Sequence, residues 1–122
     1  LVNIDIIERE GLVENAAKMG KLLKDGLESL RDKHPTIGDV RGLGLIAGIE
    51  VVKDRGTRER FSDSGPEITT LGDSIRERGL LTRANSIINL CPPLVINAEE
   101  VGMMVDAVDG ALSDMEQKHG LA

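Results

Sequence analysis

Apolar residues recur at helical spacing from the start of the chain. Ile6, Val13, Ala16, Leu23, Leu27 and Leu30 fall among Glu, Lys, Arg and Asp, which predicts one long helix from about Asn3 to about Lys33. Gly11, Gly20 and Gly26 interrupt it, each costing about 1 kcal/mol relative to Ala, so a kink or close packing is expected there. His34-Pro35 ends it, because proline disfavours helical backbone in the residue before it. The pattern then changes to alternation. Leu43, Leu45, Ala47, Ile49 and Val51 take every second position, with Gly42, Gly44 and Gly48 between them. That predicts a strand with one apolar core face and one face of nearly bare backbone. A bare face lets another layer approach closely, or marks a bend.

Residues Lys53 to Gly65 read as a charged loop, and Pro66 suits the first turn of a second helix carrying Ile68, Leu71 and Ile75. Gly79 stops that helix. Two short strands are expected next, around Leu80–Arg83 and Ser86–Leu90, with Ala84-Asn85 as a tight connection. A last helix starts at Asn97, where Glu100 completes a capping box. Its core stripe is Val101, Val105, Val108, Leu112 and Met115, and the tail from Gln117 to Ala122 is expected to fray. The prediction is a single α+β domain over residues 1–122: a small, mainly antiparallel sheet covered on one face by helices.

Composition narrows the function. At 122 residues the chain is small for a complete two-substrate enzyme, and it opens on Leu1 without methionine, which fits a piece of a longer protein. Phe61 is the only aromatic, so the core is aliphatic and the stacking platform of single-strand binders is missing. A net charge of −6 argues against a nucleic-acid partner. No run predicts a membrane span or a signal peptide. Cys91 is the single cysteine, which fits a reducing compartment and, between Leu90 and Pro92, reads as a buried structural thiol.

Chemistry-bearing motifs are few. The Gly42-Leu-Gly44 run lies in strand-like alternation and opens no helix, so it lacks the geometry of a phosphate loop. His34 and His119 have no metal-ligand spacing, and no metal site is predicted. The paired carboxylates read as solvated surface, apart from the capping role of Glu100. Arg41 is read as a structural partner of Asp39 or Glu50. Arg83, between two β-prone runs, is either a solvated edge charge or a carboxylate clamp, and residue type alone favours the first.

Three stretches in order change that balance. They are Asp39-Val-Arg-Gly-Leu-Gly-Leu-Ile-Ala-Gly-Ile-Glu-Val-Val-Lys-Asp54, Arg78-Gly-Leu-Leu-Thr-Arg83 and Ile87-Ile-Asn-Leu-Cys-Pro-Pro-Leu-Val-Ile-Asn-Ala-Glu-Glu100. Together they resemble the carboxy-terminal small domain of class III aminotransferases, which are fold-type-I pyridoxal phosphate enzymes. The resemblance implies a parent enzyme that moves an amino group between an amine or amino acid and a keto acid such as pyruvate. It further implies pyridoxal 5′-phosphate held mainly by a large domain, a cytoplasmic location and a homodimer. Amino-acid-directed members commonly carry an α-carboxylate arginine three residues before the strand-end proline, and that position is Asn89 here. In the ω-transaminases the carboxylate arginine instead follows the Gly-Leu-x-x strand, where Arg83 stands. The implied role of Arg83 is a mobile guanidinium that clamps the keto-acid carboxylate.

Lys18, Lys21, Lys24, Lys33, Lys53 and Lys118 do not resemble the family's cofactor lysine, so residues 1–122 alone are expected to be inactive and not to bind the cofactor. The competing expectation is a stand-alone α+β regulatory or interaction domain, whose bare strand face would be its partner surface.

Overall fold

Two helices, not one, open the chain. In the computed structural model, which describes residues 1–121, α1 (Val2–Arg9) stops at Glu10 and Gly11 turns left-handed (φ +59°) before α2 (Leu12–Leu30) begins. The break shifts the phase of the apolar stripe. Leu12, Met19, Leu23, Leu27 and Leu30 are buried and Ala16 packs against the core, whereas Val13 is 67% exposed. α1 buries no residue and leans only on α2.

The alternating run is a hairpin rather than one strand. β1 (Ile37–Leu43) and β2 (Ile46–Asp54) pair antiparallel around a turn at Gly44 and Leu45. Leu45, Ala47, Ile49 and Val51 are buried as the alternation requires. Leu43 belongs to β1 and is 87% exposed, because the turn restarts the alternation. Part of the expected charged loop also pairs: β3 (Glu59–Arg60) lies against the end of β2. α3 (Pro66–Glu77) follows with proline in its first turn, then β4 (Ile87–Leu90) and α4 (Ala98–His119).

Register fixes the two faces of this four-stranded sheet. Val40, Ile49 and Ile88 align across β1, β2 and β4 and are all buried. One step along, Arg41, Gly48 and Asn89 align and point to the opposite face. α2 packs on β1 and β2, and α4 packs on α2 and α3, so the helices lie over the Val40–Ile49–Ile88 face. The result is the expected α+β arrangement, with the second sheet face left bare.

α4 starts with the predicted capping box. Glu100 N–H donates to Asn97 Oδ1 at 2.9 Å and Asn97 N–H donates to Glu100 Oε2 at 3.0 Å. Its end does not fray as expected. The helix runs to His119, Gly120 caps it, Leu121 N–H donates to the Glu116 carbonyl at 2.8 Å and Leu121 packs against the core. Ala122, also part of that expectation, lies outside the described residues.

Gly20 is where α2 meets the hairpin. A Cβ there would stand 2.1 Å from the Gly44 carbonyl oxygen, and backbone cannot move aside as a side chain can. Alanine at Gly20 gains about 1 kcal/mol of helix propensity, but overpacking against backbone costs more, for an expected net loss on the order of 2 kcal/mol. Gly102 on α4 has nothing within 4 Å of such a Cβ, so Gly102→Ala keeps the gain. Urea unfolding of both variants should move the midpoint in opposite directions. A rise for Gly20→Ala would refute the close approach.

Candidate functional site

The segment carrying Arg83 is delivered by the end of α3. Gly79 is left-handed (φ +84°), its N–H donates to the Arg76 carbonyl, and Leu80 N–H reaches back to the Ile75 carbonyl at 3.1 Å. This Schellman closure turns the chain sharply out of the helix. Residues 80–83 do not form the expected strand. They run beside β4 with one bridge, Ala84 to Ile88, and the Thr82 hydroxyl donates to the Asn89 carbonyl. The connection is tight, as expected: Ile87 N–H donates to Asn85 Oδ1 at 2.9 Å, an Asx turn that takes the place of a second ladder. Ser86 N–H donates to Asp63 Oδ1 at 2.8 Å, and this bond holds the Asp63 carboxyl below its ordinary range.

Asn89 N–H donates to the Arg83 carbonyl at 3.2 Å, so residues 83 and 89 are neighbours on paired backbone. They are the two positions that the family resemblance treats as alternative seats for one arginine. Arg83 is exposed and has neither an ion pair nor a side-chain hydrogen bond among the described residues. Asn89 is exposed on the bare sheet face beside Gly48, whose absent Cβ would meet only Ile87, at 3.7 Å. Arg41, across Gly48, is committed: its guanidinium lies 3.4 Å from Glu50 and 3.8 Å from Asp39. The structural reading of Arg41 therefore holds, and Arg83 is the uncommitted guanidinium at this edge.

Cys91 departs from expectation. β4 ends at Leu90, and the thiol is exposed at the wall of a cleft of about 420 Å³. Leu81, Pro92, Val95 and Met103 give that cleft an apolar lining, and Arg83 is not part of it. The ladder ends at Leu90, as expected, because the proline pair at Pro92-Pro93 has no N–H to donate. All six lysines are exposed and none lines any of three surface clefts of the described residues. The residues present thus do not fit the pyridoxal phosphate that the resemblance implies, which needs a lysine facing an enclosed site.

The densest cluster of titratable side chains escaped the sequence reading. His34 is 1% exposed and lies between two carboxylates, with Nδ1 2.7 Å from Glu116 Oε2 and Nε2 2.6 Å from Asp109 Oδ1. The Thr36 hydroxyl donates to Glu116 Oε1 at 2.6 Å and Lys33 Nζ stands 2.6 Å from Asp109 Oδ2. Glu116, 3% exposed, follows Leu112 by four residues and so sits on the core face of α4, a signal present in the sequence. Its burial away from any cleft makes it a clasp between α4 and the end of α2, not a reaction centre. Among the described residues no group of three or more His, Cys, Asp or Glu is placed to hold a metal ion, and no helix is long and apolar enough to cross a membrane.

This geometry agrees with what the chain is similar to. The sequence profile described as aminotransferase class-III matches residues 1–112. A taurine–pyruvate aminotransferase of Bilophila wadsworthia is 42% identical over 129 aligned residues, covering 99% of this chain and 28% of that protein. An isoleucine 2-epimerase of Lentilactobacillus buchneri is 37% identical, covering 95% of this chain and 26% of that one. Among solved structures, the omega transaminase of Pseudomonas jessenii in complex with PMP superposes with a TM-score of 0.90 at 42% identity, over 98% of this chain and 26% of its own. The chain belongs to the class-III aminotransferase family. It spans little more than a quarter of the length of these relatives.

The buried clasp predicts a pH dependence. Burial alone would raise the Asp109 carboxyl, but hydrogen bonds from Lys33 and His34 and their charges outweigh it and hold it below 3.8. A carboxyl depressed on folding contributes stability above its unfolded range, and that contribution is lost as pH falls through the folded value. The urea midpoint should therefore drop from about pH 5 downward, and Asp109→Asn should flatten that acid slope. An unchanged slope in the variant would show that the clasp carries none of it.

Proposed function

We propose that this chain is the carboxy-terminal small domain of a pyridoxal-phosphate-dependent transaminase that moves an amino group between an amine or amino acid and a keto acid such as pyruvate. Family membership supports the reaction class. The amine:pyruvate direction draws support from the activity for which the taurine–pyruvate relative is named and from a 37%-identical solved transaminase with L-alanine, the amino acid that corresponds to pyruvate. On this reading the cofactor chemistry belongs to residues outside this chain, and the working enzyme is a cytoplasmic homodimer.

The observation that carries the reading is Arg83: exposed, free of acidic partners among the described residues, and backbone-bonded to Asn89 at 3.2 Å. A guanidinium at residue 83 reaches the same edge as one at residue 89, so Asn89 leaves room for Arg83 to serve the carboxylate. Its planar fork matches a carboxylate bidentately. An arginine already in ion pairs, as Arg41 is with Glu50 and Asp39, would have to break one first. Arg83 breaks none, and its side chain is exposed, so the guanidinium can move aside when the second substrate has no carboxylate.

In the full-length enzyme, Arg83→Ala should lower kcat/KM for pyruvate roughly 10- to 100-fold, the worth of one charge-assisted bidentate contact. Half-reaction rates with an amine lacking a carboxylate should change by less than about threefold. Arg83→Lys should recover part of the pyruvate loss. Equal losses with both substrates would remove Arg83 from the carboxylate site.

A further inference from the structure

On the bare side of the sheet a second cleft, of about 620 Å³, opens between the end of α2 and the β2–β3 turn. Arg31, Arg41, Arg55, Arg58 and Arg60 line it, against only Asp39 and Glu50. Five guanidiniums facing two carboxylates leave a formal excess of three positive charges, in a chain whose net charge is −6. Two acids flank the cleft. Glu59 is paired with Lys53 at 3.2 Å, and Asp54 accepts the Thr57 N–H at 2.8 Å. Neither lines the cleft.

Four of the five are held in place without being neutralised in full. Arg55 donates from Nε to the Ile37 carbonyl at 2.8 Å and from its terminal nitrogen to the carbonyls of His34, at 2.7 Å, and Arg31. Carbonyls fix a guanidinium but leave its charge uncompensated. Arg31 is fixed similarly on the Gly38 carbonyl at 3.2 Å. Arg60 and Arg41 share one carboxylate, Glu50, at 2.9 and 3.4 Å. Arg58 has no acidic partner among the described residues and stands in the turn at φ +61°, a left-handed backbone that glycine or asparagine adopts far more readily.

We propose that this cleft binds a small non-aromatic polyanion through phosphate or diphosphate oxygens. Preset guanidinium forks match tetrahedral oxyanions bidentately, and a cleft with more guanidiniums than carboxylates leaves positive charge for such a ligand to offset. The volume exceeds what a single phosphate fills. No aromatic ring lines the cleft, so a nucleobase has nothing to stack on. The site is separate from Arg83, which does not line it, and stands whether or not Arg83 binds a carboxylate.

Inorganic pyrophosphate is the probe, titrated calorimetrically into the full-length enzyme at low ionic strength. Saturable one-to-one binding is expected, tighter than for orthophosphate and weakening as salt rises. Arg58→Gly is the decisive variant, because glycine suits φ +61° and the change removes charge without disturbing packing. It should bind about tenfold more weakly while melting no lower than the parent. Arg9→Ala, on α1 away from the cleft, should leave binding unchanged. Absence of saturable binding, equal binding by Arg58→Gly, or an equal loss in Arg9→Ala would each overturn the proposal.

Discussion

Strand β2 is the constraint on which the rest of the chain depends. β1, β3 and β4 each hydrogen-bond to it, and none of them pairs with another named strand. Its alternation therefore sets both faces at once. Ala47, Ile49 and Val51 face the core, and their partners Val40, Ile88 and Leu90 are turned inward with them. Gly48 and Glu50 face the other way, and through the same ladder they place Arg41, Asn89 and Asp39 on the bare side. A one-residue slip of β2 would exchange the two sets, burying Glu50 and exposing Ile49. Core formation and placement of the charged face are thus one event, and the hydrophobic side of β2 drives it.

Helix stripes with a single period were legible in the sequence. α3 and α4 bury the residues that spacing selected, except Val105, which is partly buried, and the Asn97 capping box appears as written. Errors arose where a short-range break reset a longer pattern. Gly11 turning left-handed moved the buried set of α2 from Val13 to Leu12 and Met19. The turn at Gly44 split one alternating run into two strands, which left Leu43 in solvent. Periodicity reports which residues share a face but not where the frame restarts, and glycine is where it restarts most cheaply. The buried His34–Glu116 contact was out of reach for another reason. Its members lie 82 residues apart in sequence, so only the packing of α4 beside α2 brings them together.

The arginines show how little residue type says about role. Arg41 and Arg60 are consumed by Glu50, Arg78 by Asp114, and Arg55 by backbone carbonyls that tie the hairpin to the end of α2. Exposed pairs of this kind add little stability each. Arg55 differs, since one guanidinium satisfies carbonyls of three separate residues that no ladder serves. Arg83 and Arg58 are left over at opposite sides of the same sheet, one beside β4 and one in the β2–β3 turn. Sequence resemblance singled out the first because a family motif surrounds it. Nothing local distinguished the second, whose left-handed backbone and shortage of acidic neighbours exist only in the folded chain.

The buried clasp explains why a domain with a thin aliphatic core has one defined arrangement. α4 packs chiefly on α2 and α3. Valine, leucine and methionine side chains in a helix–helix seam tolerate sliding, because apolar contact is non-directional. Three groups donating or accepting at 2.6–2.7 Å around a buried imidazole do not tolerate it. Shifting α4 by one turn would leave Glu116 and His34 buried without partners, a penalty of several kcal/mol that well-packed apolar residues would not impose. Such a cluster adds less net stability than its hydrogen bonds imply, since desolvating the charges offsets most of the gain. What it contributes is register. With α4 fixed on α2, and α2 fixed on the β1–β2 hairpin by the Gly20–Gly44 approach, α3 docks against a set surface and its Schellman end delivers Arg83 to one place beside β4.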